Sequence, residues 1–262
     1  MKIKKTKLWQ KQAIKDLLFL NLIIVVAFAF QSLRPDLTPP PPYEVPEALL
    51  CAANATHSND STPKPQNPRI NAGNENEDAK KVAITFDDGP HPRYTEPILD
   101  GLKERGVVAT FFITGDHAEK YPEIVKRIHD EGHLIGNHTY SHIQLTKYNL
   151  EEFADELSLT SQIIADITGA ETLFVRPPYG LWDIRLEADL NMFPVMWTID
   201  PRDWARTNVT GIVNDVVNKV KPNDIILLHD EYESTQNASL IIIDQLLEAG
   251  YEFVTVEEIL LN

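Results

Sequence analysis

From about residue 80 to the end of the chain, short apolar runs alternate with segments of helical periodicity. Short apolar runs rich in β-branched residues are typical of buried strands. Alternation of such strands with helices predicts a parallel sheet, because parallel neighbours need a crossover connection. We therefore expect one α/β domain over residues 80–262, long enough to bury one substantial core.

The pattern also predicts individual elements of this domain. Strands are expected at Val82–Phe86, Val107–Ile113, Leu134–Ile135, Leu173–Val175, Val195–Ile199, Ile225–Leu228 and Phe253–Val254. Helices are expected at Thr95–Arg105, Pro122–Asp130, Leu150–Ile167, Val209–Val220, Leu240–Glu248 and Val256–Leu261. Seven strands in this order are compatible with a sheet or with a barrel.

Two segments of different composition precede the domain. An apolar run at Leu17–Phe30 follows a lysine-rich stretch, which predicts either a cleaved signal peptide or a membrane anchor over residues 1–30. Residues 31–79 hold nine of the 18 prolines and show no apolar periodicity, so we expect a disordered linker. Both N-terminal alternatives put the domain outside the cytoplasm, attached to the membrane if the segment is not cleaved.

Charge and cysteine content exclude some classes of partner and site. The net charge is −15 even though six lysines lie in the first 16 residues, so the rest of the chain is strongly acidic. Such a surface repels phosphate backbones, and we expect no nucleic-acid partner. The single cysteine, Cys51, excludes an intrachain disulfide and a cysteine-based zinc site. We expect a monomer.

Two short motifs could carry chemistry. Asp87 and Asp88 follow the first strand directly and precede Gly89-Pro90, at the strand end where α/β folds place reactive groups. The same four residues are also good turn formers. His138 and His142 follow the third strand at a spacing of four, which suits one divalent metal, although two surface histidines would look the same. Asp88 would supply the missing carboxylate.

With these motifs in view, residues 80–262 resemble the polysaccharide deacetylases of carbohydrate esterase family four, the NodB-homology domain. Five motifs match in order: Thr85–Pro90, His138–His142, Arg176–Gly180, Asp200–Trp204 and Leu227–His229. The resemblance implies a distorted (β/α) barrel, often with seven strands. It also implies a divalent metal, most often zinc, with cobalt, manganese and nickel as alternatives.

The resemblance assigns the first two motifs and the arginine to the metal and the base. Asp87 would be the general base, and Arg176 would hold its carboxylate. The metal ligands would be Asp88, His138 and His142.

The later motifs would serve the leaving group and the substrate. His229 would be the general acid and Asp203 would tune it, while the backbone N–H of Tyr179 would bind the oxyanion. Trp204 and Leu227 would contact the substrate, Leu227 at the acetyl methyl.

These residues describe metal-assisted amide hydrolysis, and the resemblance specifies the N-acetyl group of a sugar. We expect an extracytoplasmic hydrolase that releases acetate from N-acetylglucosamine residues, with peptidoglycan as the first candidate. Chitin or chitooligosaccharides come second, and acetylxylan or an exported biofilm polysaccharide third. A non-catalytic carbohydrate-binding module is the remote alternative, and Asp87 and His229 argue against it because binding alone needs neither.

Overall fold

The computed structural model describes residues 80–190 and 192–261. Its strands are β1 (Lys80–Asp87), β2 (Thr110–Ile113), β3 (Leu134–Asn137), β4 (Phe174–Val175), β5 (Phe193–Pro194), β6 (Asp224–His229) and β7 (Tyr251–Phe253). Its α-helices are α1 (Thr95–Arg105), α2 (Gly115–Lys120), α3 (Pro122–Asp130), α4 (Leu150–Thr168), α5 (Arg185–Leu190), α6 (Val209–Val217), α7 (Glu233–Glu248) and α8 (Val256–Leu261). Two short 3₁₀ turns lie at Pro178–Gly180 and Asp203–Ala205.

The described strands form one parallel sheet in the order β5-β4-β3-β2-β1-β6, with β7 paired to the start of β1. Residues 195–199 connect the two outer strands of this sheet. The N–H of Val195 bonds to Val175 in β4, and the N–H of Ile199 bonds to Ile225 in β6. The sheet therefore curls into a distorted barrel, and the predicted α/β class and seven strands are confirmed.

Side chains of β1 alternate between the helices and the barrel interior. Val82, Ile84 and Phe86 belong to the large core formed with the surrounding helices. Ala83 belongs to a smaller cluster inside the barrel. Because side chains alternate along a strand, Asp87 points to the same side as Ala83.

Three of the predicted elements differ from the structure for reasons that their contacts show. Strand β2 begins at Thr110, because Val107 completes the cap of α1 by donating its N–H to the carbonyl of Leu102 beyond the left-handed Gly106. The predicted strand Val195–Ile199 is instead the irregular connection between the outer strands. Helix α7 begins at Glu233, seven residues before the predicted Leu240, since its first buried face consists of small residues without apolar periodicity.

The two N-terminal predictions fall outside the described residues. The signal peptide or anchor at 1–30 and the linker at 31–79 precede the first described residue, Lys80. Within the described part of the chain, no helix combines the length and the apolar character needed to cross a membrane.

Candidate active site

The candidate site lies where β1 and β6 end side by side. Asp87 is paired in register with His229, and Thr85 with Leu227. Paired residues of neighbouring parallel strands point to the same face of the sheet. All four side chains therefore point into the barrel, with Asp87 and His229 at its carboxyl-terminal mouth.

The chain after β1 is held in an uncommon conformation. Asp88 has a φ of 74°, in the left-handed region that side chains other than glycine rarely adopt. Its backbone carbonyl lies 2.8 Å from Nδ1 of His117 in α2, and the N–H of Thr114 donates to the carbonyl of Gly89. These contacts fix the direction in which the Asp88 carboxylate points.

Asp88, His138 and His142 converge on one point. Their candidate ligand atoms all lie within 4.8 Å of one another. Nε2 of His138 lies 3.3 Å and Nε2 of His142 lies 3.4 Å from Oδ1 of Asp88. That oxygen is buried and has no hydrogen-bond partner among the described residues. A cation between the three side chains would satisfy it.

The protonation of the two histidines also fits a metal. Nδ1 of His138 lies 2.5 Å from the carbonyl of Arg176, so this nitrogen carries the proton and donates it, leaving the Nε2 lone pair toward Asp88. Burial and the neighbouring His138 lower the pKa of His142, which favours the neutral ring that binds metal. Two imidazoles and one carboxylate form a common zinc set that leaves positions open for water and substrate.

Arg176 is a fully buried cation that holds the Asp87 carboxylate. Its Nη1 donates hydrogen bonds of 2.7 Å to Oδ1 of Asp87 and 2.6 Å to Oγ1 of Thr85. Its Nε donates to the carbonyl of Val195, and its guanidinium lies 4.1 Å from the ring centroid of Phe112. The pair satisfies the buried charge of Asp87 and leaves Oδ2 directed toward His138, 3.8 Å from Nε2.

A second carboxylate–histidine pair lies beside this centre. Oδ1 of Asp203 lies 2.9 Å from Nδ1 of His229, while Oδ2 accepts bonds from the His229 backbone N–H and the hydroxyl of Thr235. Burial opposes protonation of His229, but the hydrogen bond and charge of Asp203, together with the charges of Asp87 and Asp88, outweigh burial and raise the pKa of His229 to about 9. His229 is therefore a proton donor over the neutral range.

The residues expected to touch substrate differ in exposure. The side chains of Tyr179 and Trp204 are exposed, at 59% and 51% of their surface. The Tyr179 ring meets His142 edge-on at a centroid distance of 4.9 Å. Leu227 is buried, two residues below His229 on the same face of β6. The site thus has exposed aromatic side chains at its rim and a buried leucine below them.

Comparison with known proteins agrees with this geometry. The sequence model described as polysaccharide deacetylase matches residues 74–195. A chitooligosaccharide deacetylase from Rhizobium leguminosarum bv. trifolii is 39% identical over 156 residues, covering 58% of this chain and 73% of the relative. The chain belongs to the polysaccharide deacetylase family.

Two bacilli supply longer relatives within the polysaccharide deacetylase family. A peptidoglycan-N-acetylglucosamine deacetylase from Bacillus cereus is 41% identical over 183 residues, covering 67% of this chain and 66% of the relative. The peptidoglycan-N-acetylmuramic acid deacetylase PdaC from Bacillus subtilis is 39% identical over 180 residues, covering 69% of this chain. The chain spans only 38% of the length of PdaC.

A solved structure of a family member matches the fold as well. The structure of PdaC from Bacillus subtilis aligns with a TM-score of 0.68 at 39% identity, covering 70% of this chain and 90% of the solved chain. The barrel of residues 80–261 is thus the polysaccharide deacetylase barrel.

Sequence reasoning missed the residues that hold the loop between His138 and His142. Glu156 in α4 accepts the N–H groups of Tyr140 and Ser141 and the Ser141 hydroxyl, which fixes the turn between the two histidines. Asn137 accepts the N–H of Thr139 before that turn. Nothing in the spacing distinguishes Glu156 from the other acids of its helix, whereas Asn137 directly precedes a predicted ligand and could have been suspected.

Proposed function

We propose that this chain is a metal-dependent hydrolase that removes the N-acetyl group from N-acetylglucosamine residues of an extracytoplasmic polysaccharide, releasing acetate. The observation that supports this most directly is the meeting of three groups at one barrel mouth. These groups are the Asp88, His138 and His142 cluster, the Arg176-bound Asp87 carboxylate, and the Asp203–His229 pair. A carbohydrate-binding module without catalysis would need at most the Asp88, His138 and His142 cluster.

Asp88, His138 and His142 would hold the metal, which we propose to be zinc, with cobalt, manganese and nickel as ions that the same donors accept. When bound, such a metal polarises a carbonyl oxygen and lowers the pKa of a bound water to about 7. Three protein ligands would leave room on such a metal for water and substrate.

Asp87 would act as the general base. Its Oδ2 points toward the proposed metal ligands, while Oδ1 accepts the hydrogen bond from Arg176, so Oδ2 is the oxygen left to accept a proton. Arg176 would act through Asp87 as a positioning residue. A donor is also needed where negative charge develops on the carbonyl oxygen, and the backbone N–H of Tyr179 is the proposed one.

His229 would act as the general acid. The amine that leaves the sugar must gain a proton, and His229 carries one at neutral pH because Asp203 raises its pKa. Its register opposite Asp87 places both side chains at the same barrel mouth, which supports delivery of that proton to the same substrate. Trp204 would stack on a sugar ring at the rim, and Leu227 would contact the acetyl methyl.

Peptidoglycan is the substrate that we propose first. The names of the Bacillus relatives support it, and they divide between the N-acetylglucosamine and N-acetylmuramic acid residues of that polymer. Chitooligosaccharides are the second candidate, supported by the name of the Rhizobium relative at 39% identity.

An exported position fits either polymer. In that position the N-terminal segment would either anchor the domain of residues 80–262 to the membrane or be cleaved and release it. We expect a monomer.

Acetate release tests the proposal. The zinc-loaded chain should release acetate from purified peptidoglycan or from chitooligosaccharides, whereas His229→Ala should release little from either. Binding of a glycan without acetate release would favour the carbohydrate-binding alternative and contradict the proposed reaction. Cleavage of the domain by external protease in intact cells tests the location.

A further inference from the structure

Asp230 follows the proposed acid His229 directly and has no part in the mechanism above. Its side chain is fully buried. It packs against Gly89, the residue after the metal ligand Asp88: a Cβ built on Gly89 would lie 2.3 Å from both carboxylate oxygens. Asp230 therefore occupies the space where a side chain at position 89 would stand.

A hydrogen-bonded chain ties Asp230 to the far end of the same loop. The hydroxyl of Thr95 in α1 donates to Oδ2 of Asp230 and accepts the backbone N–H of His91 at 2.7 Å. Oδ1 of Asp230 has no hydrogen-bond partner among the residues described. The carboxylate thus touches the loop 88–91 directly at Gly89 and through Thr95 at His91.

This loop needs such support because Asp88 is in the left-handed region at φ 74°. A residue with a side chain keeps that conformation only where its surroundings enforce it. Thr114 and His117 hold the loop through its carbonyls, whereas Asp230 holds it through the Gly89 backbone. Removing Asp230 would free Gly89 to move and would let the Asp88 carboxylate turn away from His138.

We propose that Asp230 is a positioning residue that fixes the loop 88–91, and that it thereby sets the affinity of the metal site. It acts by its shape and by its hydrogen bond with Thr95, not by its charge. The inference rests on the metal site of the proposed function. Because Asp230 adjoins His229 in sequence, the same side chain also ties the metal loop to the strand that carries the acid.

The test measures zinc affinity of the full chain, stripped of metal and titrated with Zn²⁺ against a chromophoric chelator. Asp230→Ala should weaken binding about 10–100-fold, the range found when partners behind metal ligands are removed. Asp230→Asn keeps the shape and an acceptor for Thr95, so it should retain most of the affinity. The visible absorption of the Co²⁺-loaded protein should change in Asp230→Ala and stay the same in Asp230→Asn.

Ser239→Ala is a matched control, since Ser239 is also a fully buried polar residue and bonds only within α7 at 3.0 Å to Gln236. It should bind zinc as the wild type does. Wild-type affinity in Asp230→Ala, or an equal loss in Ser239→Ala, would overturn the proposal. Equal weakening in Asp230→Asn and Asp230→Ala would also overturn it, because charge would then be the cause.

Two further variants cover misfolding of Asp230→Ala and an error in the metal site itself. If Asp230→Ala does not fold, Thr95→Val removes the hydrogen-bond donor and keeps the shape, and it should weaken zinc binding several-fold. Unchanged affinity in Thr95→Val would then contradict the proposal. His138→Ala tests the metal site independently of Asp230. If this variant binds zinc as tightly as the wild type, the metal site of the proposed function is wrong and the role of Asp230 fails with it.

Discussion

Asp203 contacts His229 twice, once at the ring and once at the backbone. Oδ1 lies 2.9 Å from Nδ1, and Oδ2 accepts the His229 N–H at 2.8 Å. The two contacts fix both the orientation of the ring and its proton-bearing nitrogen, so that Nε2 is left to face the barrel mouth. Thr235 donates to the same carboxylate and completes its hydrogen bonding.

This pair predicts the alkaline side of the pH profile. The acid form of His229 is lost as pH rises through its pKa of about 9, so kcat/KM should fall there. Asp203→Asn removes the charge that favours the imidazolium, which lowers this pKa and should move the alkaline limb to lower pH. The measurement is kcat/KM against pH for the two proteins under the same metal loading.

Asp200→Asn is a control for the effect of Asp203→Asn on the alkaline limb. Asp200 lies three residues before Asp203, and no hydrogen bond joins its described side chain to His229, so Asp200→Asn should shift the limb less. An unmoved limb in Asp203→Asn, together with wild-type turnover in His229→Ala, would remove His229 from the mechanism.

Metal content should depend on the histidine pair of the site. His138→Ala and His142→Ala each remove one of the three proposed ligands, so both should lose most of the bound zinc and nearly all acetate release. His129→Ala changes an exposed histidine in α3 and should keep both. Elemental analysis of the purified proteins measures the result, and wild-type zinc in both site variants would contradict the assignment.

A buried histidine away from the site predicts acid sensitivity. Burial lowers the pKa of His133 to about 4, while the unfolded chain has its ordinary value of 6.5. The unfolded state therefore binds more protons between these values, and stability should fall as pH drops from 6.5 toward 4. The full loss is on the order of 3 kcal/mol, from about 1.4 kcal/mol per pKa unit.

Denaturant unfolding at several pH values measures this slope. Nδ1 of His133 accepts the N–H of Ala109, and the amide oxygen of Asn can replace it without titrating. His133→Asn should flatten the slope between pH 4 and 6.5, whereas the exposed variant His129→Asn should not. Equal slopes in all three proteins would show that His133 does not cause the acid sensitivity.

The sequence predicts most of the strand–helix order, because most strands carry their own apolar run, as at Val82–Phe86 and Ile225–Leu228. It fails where the pairing depends on distant partners. Residues 195–199 look like a strand, yet their N–H groups divide between β4 and β6, a consequence of barrel closure that no local pattern encodes. The early part of α7 is hidden for another reason, since small side chains such as Ala238 form its buried face.

In the candidate site, too, the residues in local motifs could be predicted and those held by distant contacts could not. Its proposed reactive residues stand next to strand ends and belong to short motifs, so the resemblance could point to them, although their roles stay predictions. The residues that support the site belong to no short motif at a strand end. Thr95 reaches Asp230 across 135 positions, and Glu156 is one acid among several in its helix. Such contacts arise from packing and are visible only in three dimensions.

The pairing of Asp87 with Arg176 allows the base to be tested apart from the metal and the fold. Asp87→Asn keeps an oxygen that can accept the hydrogen bond from Arg176, and Asp87 is not among the three clustered residues proposed to bind the metal. The variant should therefore fold, bind zinc as the wild type does, and lose turnover by about 10²–10⁴-fold, the usual range for a general base. Zinc content and acetate release are measured on the same sample.

Asp87→Ala serves as the contrasting variant. It removes the only carboxylate that bonds to Arg176 in the described structure and leaves a fully buried guanidinium without its counter-charge. Breaking a buried ion pair from one side costs about 3–5 kcal/mol, so this variant should also lose stability in denaturant unfolding. Asp87→Asn removes the same charge but keeps an acceptor for the guanidinium, so its loss of stability should be smaller. Near-normal turnover in Asp87→Asn would show that Asp87 is not the base. Lost zinc in that variant would instead place Asp87 among the metal ligands, because its Oδ2 already lies 3.8 Å from Nε2 of His138.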